Sequence, residues 1–131
     1  MKIVVGKPPI YDRAATVFPL SGREVFAFGD TIYNPDGMFI PEWIVDHEKV
    51  HGLQQSGFES PDAWWDLYLI DAQFRYTQEL AAHREEYRSY CRHNKDRNAR
   101  ARYLDLVARK LAAPLYGSVV SFPEAKKEIK K

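Results

Sequence analysis

The stretch His47-Glu48-Lys49-Val50-His51 places two imidazoles four residues apart with a carboxylate between them. On a helix, side chains at i and i+4 lie one above the other on the same face. Two histidines so placed can direct their ring nitrogens at one ion. Glu48 sits about 100° round the helix from His47, beside such an ion without having to bind it. Zinc is the ion this donor set suits: it accepts imidazole nitrogen and carboxylate oxygen in a tetrahedron, and a reactive site keeps one position for water. Two histidines leave one protein ligand to find.

The segment Gln78-Glu79-Leu80-Ala81-Ala82-His83 supplies the candidates. Glu79 is the preferred third ligand. Ala82 shares its face and is small enough to let two helices approach closely. His83, one turn beyond Glu79, is the main rival, and as a non-ligand it would stand behind the ligands or face substrate. Asp46 and Asp71 are weaker rivals. Distance adds a requirement. His51 lies roughly 6 Å from the end of a helix finishing near Gln55, whereas Glu79 would lie roughly 27 Å along a straight helix starting at Pro61. A simple helical hairpin cannot bring them together. A break near residues 70–74 is therefore predicted, with a short helix before it and a second one carrying Glu79 to the site.

These residues carry a resemblance. His47-Glu48-x-x-His51 is the metal-binding pattern of zinc metallopeptidases. With Gly29-Asp30-Thr31-Ile32-Tyr33, Pro41-Glu42-Trp43, Gln54, Phe74-Arg75 and Glu79, it resembles the gluzincin branch, including small bacterial and phage-type members. The likeness spans about residues 25–90. It implies a zincin-like helical core, a Zn2+ cofactor held by His47, His51 and Glu79, and a peptide or protein substrate. No further histidine follows His51 at the short metzincin spacing, and the aspartate that supports a zinc histidine in larger gluzincins has no clear match.

Bound zinc would lower the pKa of its water from 15.7 towards about 7. Glu48 would then act as general base, taking the water's proton and passing it to the leaving amine. The oxyanion that forms needs a donor besides zinc. His83, Tyr87, Arg75 and Tyr33 are the candidates. A strand over residues 25–33 is expected to hold an extended substrate by edge pairing.

The elements that must position these groups are legible in outline. KIVVG, TVFPL and EVFAFGDTIY read as strands, and Asn34-Pro35-Asp36-Gly37 as a turn. Pro41 and Glu42 begin a helix, with Trp43, Ile44, Val50 and Leu53 expected to form its apolar face and Gly57 to end it. Gly52 within it either permits close packing or is tolerated at a cost of ~1 kcal/mol. Ser60-Pro61-Asp62 begins the next helix. Trp64, Trp65, Tyr68, Phe74 and Tyr76 read as core and shell packing. Residues 97–113 form an amphipathic helix ended by Pro114. Leu115 to Phe122 is a short strand or apolar tail, and the last nine residues a frayed polar end. The expected fold is α+β: a small N-terminal antiparallel sheet followed by a mainly helical core. It forms one domain over residues 1–131, with 1–40 strand-rich, 41–113 helical and 114–131 a C-terminal tail.

Composition bounds the function. The chain is 45% hydrophobic with a formal net charge of +1, so no strong field favours nucleic acid or a membrane as partner. The single cysteine, Cys91, reads as a small buried hydrophobe and suggests a reducing compartment. The N-terminus lacks the apolar run of a signal peptide or membrane span, so a cytoplasmic protein is expected, and association with a virus particle is compatible. Two functions fit: a zinc-dependent hydrolase with Glu48 as general base, or a catalytically silent module stabilised by zinc within a larger assembly such as a phage particle.

Overall fold

The computed structural model describes residues 1–131. In chain order the elements are β1 (Lys2–Val4), α1 (Tyr11–Val17), β2 (Phe26–Phe28), β3 (Thr31–Tyr33), α2 (Glu42–Ser56), α3 (Pro61–Ile70), α4 (Ala72–His93), α5 (Arg97–Leu111), a 3-10 turn (Pro114–Tyr116) and α6 (Phe122–Lys130). The fold is α+β with a mostly helical core. No helix is long and apolar enough to cross a membrane.

The sheet is mixed, in the order β1-β3-β2. β2 and β3 form the antiparallel hairpin, but β1 joins β3 in parallel. The stretch read as one strand turns back at Gly29-Asp30, where Gly29 takes φ +64°, a conformation that costs glycine nothing. TVFPL is not a strand either: its first residues end α1. A strand needs a partner, and here the sheet closes at three.

α2 runs as expected from Pro41 to a stop at Gly57, but its buried face is not the apolar one. The buried residues are His47, Glu48, His51 and Gln55, while Leu53 is 74% exposed. A polar stripe is tolerable inside a protein only if each group finds a partner. Gln55 finds two: its Nε2 donates to the Ala27 carbonyl at 2.8 Å and its Oε1 accepts from the Gly29 N–H at 2.7 Å. These bonds fasten α2 to the β2–β3 turn. Gly52 allows the approach, because a Cβ there would stand 3.0 Å from the Gly29 carbonyl oxygen.

The predicted break falls at Asp71. Its backbone is extended (φ −119°, ψ 103°), ending α3, and its side chain accepts from the Phe74 N–H to cap α4. Ser60 caps α3 through the Ala63 N–H. The 22-residue α4 packs along α2 and is backed by α5 and α6.

Two apolar clusters hold these elements. One gathers Ile10, Ala14, Phe26, Trp64, Trp65, Tyr68 and Leu69; the other gathers Tyr76, Leu104, Val107, Ala108, Leu111, Val120, Ala125 and Ile129. The C-terminal residues are thus not a frayed end. Ser121 caps α6, and Ala125 and Ile129, one turn apart, are fully buried against α5. Residues 115–122 are a turn and a short connection rather than a strand.

Candidate metal centre

Three atoms meet between α2 and α4. His47 Nε2 and His51 Nε2 are 3.2 Å apart, and Glu79 Oε1 lies 3.2 Å from each. The triangle is equilateral. Helical spacing brings the two imidazoles together, and the break at Asp71 swings Glu79 across to them. All three side chains are over nine-tenths buried.

What surrounds the triangle fixes its chemistry. His47 Nδ1–H donates to Glu86 Oε1 at 2.8 Å. His51 Nδ1–H donates to Gln54 Oε1 at 2.8 Å, and Gln54 is oriented by its Nε2 donating to the Gln78 carbonyl at 3.0 Å. The Tyr68 hydroxyl donates to Glu79 Oε2 at 2.5 Å. Each outer atom is thereby satisfied, and the neutral tautomer of both histidines turns a bare Nε2 lone pair inward. Three lone pairs facing one another at 3.2 Å repel unless a cation lies among them. Two atoms bound to one zinc at about 2.0–2.1 Å and a tetrahedral angle stand about 3.3–3.4 Å apart. The triangle has the size such an ion requires, and its outer hydrogen bonds are of the kind that orient metal ligands.

Without an ion, protons supply the missing charge. Burial alone would depress the His47 pKa, but the Glu79 and Glu86 carboxylates outweigh it and hold the imidazole well above its usual value. His51 is raised as well, burial again being overcome by Glu79. Burial would raise Glu79, yet the two histidines hold it well below the carboxylate range. Glu86 is lowered for the same reason, by His47 and His83.

Glu48 stands beside the triangle, its Oε2 3.6 Å from His47 Nε2. Burial pushes its pKa up, opposed by His47 and His51, which makes it a better proton acceptor than a free carboxylate. The site forms one wall of a cavity of about 610 Å³ lined by residues including Phe18, Leu20, Met38, Trp64, Tyr68 and Tyr116. Val25 and Phe26, at the start of the edge strand β2, also line it.

The remaining sequence candidates separate. His83 is at the site: its Nδ1–H donates to Glu86 Oε1 at 3.0 Å and its Nε2 lies 3.9 Å from Glu79 Oε1. Arg75 is elsewhere engaged. Its guanidinium donates to the Leu115 carbonyl at 3.1 Å and the Tyr68 carbonyl at 2.9 Å, so it braces the turn behind the site. Tyr87 packs against the α5–α6 cluster next to Cys91, and Tyr33 against the other; neither borders the cavity. Asp46 faces away, accepting from the Ser89 hydroxyl at 2.6 Å, and Asp71 is the helix cap.

Sequence reasoning missed Glu86, Tyr68, Tyr103 and Tyr116. Glu86 accepts from both His47 and His83, and the Tyr103 hydroxyl donates to its second oxygen. Its signal was the spacing Glu79, His83, Glu86, which keeps all three on one face of α4. Tyr116, half-buried, is among the residues that line the cavity. Burial and the nearby Glu79 and Glu48 push its pKa well up, so it stays a donor.

No family model, curated protein or solved structure matches this chain.

Proposed function

We propose that the protein is a zinc-dependent hydrolase acting on peptide bonds, with His47, His51 and Glu79 holding the ion and Glu48 as general base. The observation that carries this reading is the equilateral 3.2 Å triangle of His47 Nε2, His51 Nε2 and Glu79 Oε1, with the Glu48 carboxylate at its edge and an open cavity beside it. The residues that carry the resemblance to gluzincins, His47, Glu48, His51 and Glu79, are the ones drawn together here.

When bound, zinc would act as a Lewis acid on the scissile carbonyl and lower the pKa of the attacking water. The protein's groups supply the rest. Glu48 receives the water's proton and delivers it to the leaving amine. The Tyr116 hydroxyl is the side-chain donor in the cavity wall best suited to the developing oxyanion. His83 in its neutral form cannot serve there, because its only N–H is given to Glu86. The Ala27 carbonyl on β2 is already taken by Gln55 Nε2 and Trp65 Nε1, so substrate would be held by the apolar wall, which favours hydrophobic side chains beside the cleaved bond.

The test is Glu48→Gln. Zinc content should stay near one ion per chain while cleavage of a fluorogenic peptide library disappears. A wild-type protein that binds zinc yet cleaves no member of the library would instead support a zinc-stabilised module that does no chemistry.

A further inference from the structure

Among the buried polar groups one nitrogen is left over. His83 Nε2 has no hydrogen-bond partner and is closed off from solvent, and the residue is 4% exposed. Its tautomer is settled by Glu86: the carboxylate takes the Nδ1 proton, so Nε2 carries a lone pair. An unpaired buried acceptor is destabilising, and such a group calls for a partner.

Two partners suit a lone pair, a water or a cation. A water stands about 2.8–3.0 Å from the atom it bonds, and Nε2 is out of a water's reach. A metal ion binds closer than a water, at about 2.0–2.1 Å. Two atoms on one zinc are at most about 4.2 Å apart, twice the bond length. His83 Nε2 is 3.9 Å from Glu79 Oε1, inside that limit and wider than the tetrahedral separation, so the imidazole would have to swing inward to bind.

The helices make the same point. α2 offers an i, i+4 pair, His47 and His51; α4 offers another, Glu79 and His83. Two such pairs on facing helices are the arrangement from which helical bundles build metal sites. Glu86 orients one imidazole from each helix, donating nothing and accepting from both at 2.8 and 3.0 Å.

We propose that His83 is a fourth protein ligand, so that the resting ion is closed off by three imidazoles and one carboxylate and His83 must leave before water or substrate can bind. This inference rests on the metal-binding reading above. It adds regulation to it: the resting protein is the closed form of the site, and opening is a movement of one side chain.

X-ray absorption of the zinc-loaded protein counts the imidazoles directly. Three are expected for the wild type and two for His83→Gln, each with about one zinc per chain. Two in the wild type would overturn the fourth ligand and leave the metal site standing. Failure to hold stoichiometric zinc would overturn the reading beneath both. Should the variant not fold, nitrogen NMR of histidine-labelled wild type decides. The chain has four histidines, and His93 is exposed. Zinc should move the Nε2 resonances of three and spare His93; movement of only two refutes the proposal.

Discussion

Glu86 accepts a hydrogen bond from His47 across 39 positions of sequence, at 2.8 Å and almost out of contact with solvent. The same oxygen accepts from His83, and the other takes the Tyr103 hydroxyl. One carboxylate thus sets the tautomer of two imidazoles and ties α5 to the site. Supporting groups of this kind are typically worth 10–100-fold in metal affinity. Glu86→Gln should therefore weaken zinc binding by about that factor in a chelator competition, without removing a ligand. Affinity within twofold of wild type would show that the histidines are oriented by packing alone.

Acidity gives a second prediction, with opposite signs for the metal-free and loaded forms. His47 and His51 have folded-state pKa values above their ordinary 6.5. Their contribution to stability is full below about 6.5 and is lost as pH rises through the raised values. Glu79 and Glu86 are lowered from 4.5, so theirs is present above about 4.5 and is lost as pH falls through the lowered values. Glu48, raised from 4.5, favours the acid side. His83, lowered from 6.5, opposes this by destabilising the protein below about 6.5. The larger shift on His47 decides the balance. Metal-free protein should have its highest melting temperature between about pH 4.5 and 6.5 and lose stability towards pH 9. Zinc must displace the extra protons, so the rise in melting temperature on adding zinc should grow over that range. A zinc effect larger at pH 6 than at pH 8 would contradict the account.

The C-terminal helix gives a third. Ile129 is fully buried against α5, and Ile129→Ala should cost about 2–5 kcal/mol, read from the urea midpoint at unchanged slope. A loss below about 0.5 kcal/mol, the range of surface changes, would mean that α6 does not pack as described.

How much of this was legible in the sequence follows from where the signals lie. The His47/His51 pair is local, fixed by helical period alone. The break at Asp71 was legible because straight-helix lengths excluded the alternative, and Ser60 and Pro61 announced α3 through capping chemistry. The parallel pairing of β1 with β3 was not legible, since residues 2–4 carry no mark of their partner. α6 was hidden by its composition: two apolar residues, Ala125 and Ile129, amid lysines and glutamates look like a solvated end until α5 is there to receive them. The polar buried face of α2 reversed the usual expectation. Hydrophobic pattern pointed to Val50 and Leu53, while the interior was built from groups that satisfy one another. Glu86 is the instructive miss, because its role depends on His47 reaching it from another helix.

The central claim is that the inward nitrogens of His47 and His51 and Oε1 of Glu79 hold one divalent cation. Equilibrium dialysis against buffered zinc, followed by elemental analysis, tests it most directly when wild type is compared with Glu79→Ala. The account predicts about one zinc per wild-type chain and a sharp loss in the variant with its helical content retained. Wild type that emerges without zinc, or a variant that keeps all of it, would contradict it.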